Sequence, residues 1–152
     1  MSEYTKPLPA LDGLTKEFYD FCKQEDLHFQ QCTGCGTFRH VPREMCAQCN
    51  SFEWAWTKST GKGTIFTWVV VNRALHPAFH DESPEAVPMA PVVVEMEEGV
   101  RLLGNMIDCP PDQLKMDMPV KVVYEAVTDE VTLPRFSRIE TSTPPPADSR
   151  QQ

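Results

Sequence analysis

The first clear periodicity along the chain is helical. In "DGLTKEFYDFCKQEDLHF", Leu14, Phe18, Phe21 and Cys22 recur at i, i+4 and i+7/i+8, while Lys16, Glu17, Asp20 and Lys23 fall elsewhere. That is the pattern of a short amphipathic helix. Its apolar stripe can cover the protein's own core or dock on another chain. Residues 1–10, polar and proline-containing, read as a loose lead-in.

From Gly61 the period shortens to two. "GTIFTWVVV" is rich in β-branched and aromatic residues, which suit a pleated surface. Ile65, Val69 and Val71 share one face and Phe66, Trp68 and Val70 the other, so this strand is expected to be covered on both sides. "PVVVEMEEGVRLLGNMI" reads as a hairpin, with Val92, Val94 and Met96 inward, Glu95 and Glu97 outward, and Glu98-Gly99 at the turn. Gly104 in the return strand predicts a bulge or a sharp bend. "CPPDQLKMDM" is a proline-started turn with room for one helical turn, and "PVKVVYEAV" is a further strand. "VTLPRFSRI" is also extended, with Pro134 confining its pairing to an edge or a bulge. The tail "TSTPPPADSRQQ" has no apolar anchor and reads as disordered. The fold class is therefore mainly β, with one N-terminal helix. About five strands suit a small, partly open Greek-key barrel of the OB type. An SH3-like barrel or a small sandwich gives the same pattern.

Between helix and strands lies "CTGCGTFRHVPREMCAQC", with four of the six cysteines. Cys32-x2-Cys35 and Cys46-x2-Cys49 have the spacing of a four-cysteine tetrahedral site. Two intervening residues let both thiolates of a pair fold back onto one metal. Gly36 and Asn50 each follow the second cysteine of a pair, where a tight knuckle needs left-handed backbone. Four thiolates leave no open coordination position, so the expected ion is a structural Zn2+, with rubredoxin-like iron the less expected alternative. Cys22 and Cys109 stand apart and read as small apolar residues.

A net charge of −8 argues against a nucleic-acid partner, whose affinity comes largely from Lys and Arg. No apolar run approaches a membrane span, and the N-terminus shows no secretory pattern, so a cytoplasmic protein with reduced cysteines is expected. "HPAFH" places His76 and His80 four apart, but Pro77 favours a loop there, and the glutamate of an HExxH motif is missing. The loop from Asn72 to Pro91 is long enough to suggest function. No phosphate loop, nucleophile elbow or acid pair stands out, and no catalytic residue is predicted.

The order of these segments carries a resemblance. A helix, "FQQCTGCGTFRHVPREMCAQCNS", "WTKSTGKGTIFTWVVVNRALHPAF", "APVVVEMEEGVRLLGNMI", "MPVKVVYE" and "LPRFSR" together resemble the domain-of-unknown-function family thirty-five across residues 14–140. The resemblance implies a rubredoxin-like zinc ribbon at 28–58 and an OB-fold at 59–140, preceded by the lead-in and helix (1–27) and followed by the tail (141–152). It implies Cys32, Cys35, Cys46 and Cys49 as metal ligands. It further implies a non-catalytic accessory subunit of a thiolase-fold enzyme, thiolase or retro-aldolase, in a heterotetramer or similar assembly. The substrates would be acyl-CoA esters from steroid side chains or aromatic compounds, bound at or near the junction. Candidate contacts to CoA or to the partner are Phe18, Phe79, His80, Arg135, Phe136 and Arg138. The chain departs from the family pattern at Asp117, where glycine is common, and at Val41, where a second proline is frequent. The alternatives are an OB-fold single-stranded nucleic-acid binder, for which Phe66, Trp68, Phe79 and Phe136 offer stacking faces, and an independent acyl-CoA-binding protein.

Overall fold

The computed structural model describes residues 4–74, 76–79 and 88–139. The helix α1 spans Gly13–Lys23, close to the predicted segment. Eleven residues make a marginal helix in water, so packing must hold it: Phe18 and Cys22 are buried and contribute roughly 1.5–3 kcal/mol per large side chain. The stripe thus serves the protein's own core. Phe18 is 3% exposed, which removes it as a contact for a partner.

Two antiparallel sheets follow. The first, in order β2-β1-β3, consists of β1 (His28–Cys32), β2 (Phe38–Arg39) and β3 (Trp54–Lys58). The second has the order β6-β5-β4-β7-β8, built from β4 (Lys62–Trp68), β5 (Pro91–Met96), β6 (Arg101–Asn105), β7 (Pro119–Ala126) and β8 (Thr132–Arg138). The predicted hairpin forms with Gly99 at φ 82° in its turn, and Pro111–Gln113 make a single helical turn that begins at the second proline.

The five strands curl into a half-barrel that stays open. The residue just after β6 meets the end strand β8 at one parallel bridge, Met106 to Phe136, with the Ile107 N–H donating to the Phe136 carbonyl at 3.0 Å. Pro134 sits on β8, an end strand, as a residue without an N–H requires. Gly104 corrects the sequence reading. It pairs regularly with Val92 and marks no bulge; a Cβ there would stand 2.8 Å from Phe136 Cε2. The glycine makes room for a ring.

The bulge lies instead in β4, where the register shifts between Ile65 and Thr67. Beyond it the strand is not covered on both sides: Ile65 is buried, but Phe66, Val69 and Val70 are 38%, 65% and 40% exposed. Val71 still bridges to Met89, pinning the base of the long loop.

One core joins the parts. Phe18 and Cys22 from α1, Leu27 before β1 and Phe29 on it cluster with Ile65, Val92, Val94, Val120 and Phe136 of the second sheet. The Leu27 N–H donates to the Tyr124 hydroxyl on β7 at 2.9 Å. His40 packs against the rings of Phe18 and Phe29, at 4.9 and 5.6 Å between centroids, and burial lowers its pKa from 6.5 to about 4.

In the unfolded chain this histidine protonates as pH falls through 6.5, while the folded form resists until about 4. Its contribution is therefore present above 6.5 and is lost on acidification, on the order of 3 kcal/mol in full. Between about pH 7.5 and about pH 5 the wild type should lose about 2 kcal/mol more than His40→Phe in urea unfolding. Equal losses in the two would refute a neutral His40 in the fold. No helix among the described residues is long and apolar enough to cross a membrane.

Candidate functional site

The cysteine segment folds as two equivalent knuckles. Cys32 and Cys46 each accept at their carbonyl from the residue four further on, Gly36 at 2.8 Å and Asn50 at 2.9 Å. Each also donates its N–H to the carbonyl five residues on, Thr37 at 3.0 Å and Ser51 at 2.8 Å. Closing these turns requires left-handed backbone, and Gly36 (φ 76°) and Asn50 (φ 60°) supply it at the predicted positions.

The knuckles bring all four sulfurs within 4.8 Å of one another, with Cys32 and Cys49 at 3.5 Å and Cys35 and Cys46 at 3.7 Å. A tetrahedron of metal–sulfur bonds of about 2.3 Å has edges of about 3.8 Å, so the donor set fits one four-coordinate ion. Bonds from Thr37, first its hydroxyl and then its backbone, lower the Cys35 pKa to about 6. Backbone N–H groups of Cys49 and Gln48 lower that of Cys46. Cys49 also has a backbone bond from Ser51 that favours its thiolate, but the neighbouring Cys32 and Cys35 sulfurs outweigh it and push its pKa up to about 12. Without a cation the cluster cannot ionise fully, because thiolates this close repel. A divalent ion held by the four sulfurs would supply the missing positive charge.

Gln30 was not legible as a site residue. Fully buried on β1, its Oε1 accepts from Arg39 Nε at 2.9 Å and from the Arg43 N–H at 2.7 Å. This ties the loop between the knuckles to the sheet. Nothing in "FQQC" marks it, because only the fold shows which way the amide faces.

A second feature lies on the half-barrel. A cavity of about 790 Å3 is walled by Tyr4, Lys6 and Pro7 of the lead-in, by Phe79 and by residues from β6, β8 and their flanking loops, Arg135 among them. The candidate contacts therefore separate. Phe79 and Arg135 share this cavity. Arg135 donates from Nε to Glu125 Oε2 at 2.7 Å. With the Asn105 amide oxygen turned toward it, Asn105 accepts from Arg135 Nη1 at 3.1 Å.

Arg138 is exposed and reaches Gln113 Oε1 at 3.2 Å. Phe136 is wholly buried against Gly104, so alternation along β8 turns it into the core and leaves it no ligand-facing surface. His80 lies outside the described residues; its neighbour in sequence pattern, His76, accepts at Nδ1 from the Ala78 N–H at 3.1 Å. Cys22 is buried with its pKa pushed up to about 12 by burial, and Cys109, on the cavity wall, is also raised by burial. Both are thiols at neutral pH.

Among the described residues, three arginines have partners of their own. Arg101 lies over Phe66 at 3.7 Å with Glu95 beside it at 3.9 Å, and Arg135 is committed to Glu125. The stacking faces offered to a nucleic acid shrink likewise, since Phe136 is in the core.

Comparison with known proteins matches this architecture. The ChsH2 rubredoxin-like zinc ribbon domain matches residues 20–55, and the ChsH2 C-terminal OB-fold domain matches residues 56–125. A probable enoyl-CoA hydratase alpha subunit of Thermomonospora curvata is 33% identical over 131 residues, 86% of this chain. The chain spans only 39% of that relative's length. A DUF35 domain-containing scaffold protein of Methanocaldococcus jannaschii is 33% identical over 101 residues, covering 66% of this chain and 68% of the relative. Among solved structures, a chain of an Ltp2-ChsH2(DUF35) aldolase superposes with a TM-score of 0.75 at 32% identity, over 86% of this chain and 98% of its own. With its ribbon and its half-barrel both matched, the chain belongs to DUF35, the domain-of-unknown-function family thirty-five.

Proposed function

We propose that the chain is a non-catalytic accessory subunit of a thiolase-fold enzyme, thiolase or retro-aldolase, acting on acyl-CoA esters from steroid side chains or aromatic compounds. The observation that carries the reading is the likeness, over nearly the whole of its length, to a DUF35 chain solved in an aldolase. The metal in the clamp is zinc. Held by four thiolates, it has no open position for water or substrate, so its part is to shape the ribbon, and the chemistry belongs to the partner.

The helix stripe is committed to the core, and the reading places the docking face on the ribbon. Val41, Met45 and Phe52 are 57%, 43% and 69% exposed on its loops. Aromatic side chains, phenylalanine included, are enriched in the buried centres of interfaces. A tagged pull-down from the native host, with the mass of the intact complex and its metal content read together, tests the reading. A thiolase-fold protein in fixed ratio and about one zinc per chain are expected. Phe52→Asp should weaken that complex by at least about 30-fold, about 2 kcal/mol, with zinc retained. A chain recovered alone, or with nucleic acid that survives high salt, would overturn it.

A further inference from the structure

The helix α1 and the first sheet share a row of aromatic rings that is only partly drawn into the core. Phe21 stacks on His28 at 4.0 Å between ring centroids and meets Trp56 edge-on at 5.5 Å. Trp56 in turn meets Trp54 edge-on at 5.5 Å. The two tryptophans are two residues apart on β3, so they share one side of the sheet. All four rings are half-buried. Trp56 packs against the core, whereas Phe21 and Trp54 do not belong to it.

One carboxylate is fixed at the edge of this row. Glu17, exposed on α1, accepts from Trp56 Nε1 at 2.6 Å through Oε2. The neighbouring cations are already committed, Lys16 to Asp20 at 2.6 Å and Lys58 to Asp26 at 2.8 Å. Glu17 has no ion pair of its own among the described residues. The surface therefore offers an uncompensated negative charge beside several rings, whose faces also attract cations, on a chain of net charge −8.

A flat cation with N–H groups complements such a surface. A guanidinium stacks on an indole, is more weakly hydrated than an ammonium, and can donate to a carboxylate oxygen while it does so. A quaternary ammonium has no N–H for the carboxylate, and a polymer of phosphates would be repelled by it.

We propose that this surface receives an arginine side chain of a partner protein, its guanidinium stacked on Trp56 and donating to Glu17 Oε1. The Trp56 N–H holds the carboxylate in place before the arginine arrives, so little side-chain freedom is lost on this side. The proposal rests on the accessory-subunit reading above for the existence of that partner. The preference for a guanidinium follows from the residues of the surface.

Two blocked tripeptides test it on the zinc-loaded full chain: acetyl-Gly-Arg-Gly-amide, and the same peptide with citrulline, which keeps the shape and loses the charge. The readout is the indole N–H signals in NMR, with Trp68 on β4 as the control. The arginine peptide should shift Trp54 and Trp56 with saturation, leave Trp68 unmoved, and bind at least about fivefold tighter than the citrulline peptide. Glu17→Gln can still accept from the indole but lacks the charge. It should keep the spectrum of the fold, weaken the arginine peptide at least about threefold and leave the citrulline peptide unchanged. Equal binding of the two peptides, equal binding by wild type and Glu17→Gln, or no shift at Trp54 and Trp56 would overturn the proposal. Because the titration uses no partner, it can fail where the pull-down still finds a thiolase-fold protein, and succeed where the pull-down finds none.

Discussion

Cys46→Ser, or removal of the metal by a chelator, should unfold the ribbon and lower the melting temperature of the whole chain by more than about 10 °C. Between Cys32 and Trp54 the single fully buried residue is Cys46. The segment thus has almost no apolar core, and its backbone turns rest on the knuckle bonds and on the ion that the four sulfurs would hold. Zinc bound by four thiolates contributes about 10–16 kcal/mol, as much as the entire stability of an ordinary domain. Hydrogen exchange checks this directly. In the metal-free chain, amides of residues 28–58 should lose protection first, and the half-barrel should follow at lower temperature because Leu27 and Phe29 belong to its core. A metal-free variant that keeps protection over 28–58 would show that the knuckles hold without the ion. It would remove zinc from the account of the fold.

Phe136→Ala should cost about 3–5 kcal/mol, the usual loss for a buried phenylalanine. The ring is 0% exposed and lies on Gly104 across the gap between β6 and β8. Its own backbone carries the bridge to Met106, the residue after β6. Gly104→Ala should cost about 1–3 kcal/mol by overpacking, since its new methyl would stand 2.8 Å from the ring. The double variant separates the causes. With the ring gone there is space for the methyl, so Gly104→Ala should cost little in the Phe136→Ala background. An equal cost in both backgrounds would mean that the glycine serves some need other than the ring.

How much of this was written in the sequence depends on whether the information is local. The cysteine spacing and the left-handed positions after each pair are local, and both are legible: Gly36 and Asn50 sit at φ 76° and 60°. Asp117 is similar. Its departure from glycine marked the turn, and the structure gives it φ 59°, a backbone that aspartate tolerates better than most side chains. What alternation does not carry is the neighbour across a face. The helical stripe placed Phe18 on the apolar face of α1 but could not tell that the protein's own core would bury it, and nothing in the extended β8 segment told that Phe136 would lie against Gly104 of β6. The bulge at Phe66 also moved the face of every residue after it. The cavity was the least legible feature. Its walls come from residues 4–7, 79, 88–90, 105–111, 133 and 135, and no window of sequence contains them together.

The single core shared by the ribbon and the half-barrel ties this protein to the supply of metal. Because Phe29, Leu27 and the Tyr124 hydroxyl couple the ribbon to β4, β7 and β8, the free energy of metal binding is felt well beyond the four sulfurs. Above saturation each tenfold change in free ion shifts the folding equilibrium by about 1.4 kcal/mol. The folded chain is therefore a concentration-dependent product of the ion and the polypeptide. Any assembly built on it would inherit that dependence, so a shortage of metal would limit the folded chain even when the polypeptide is abundant.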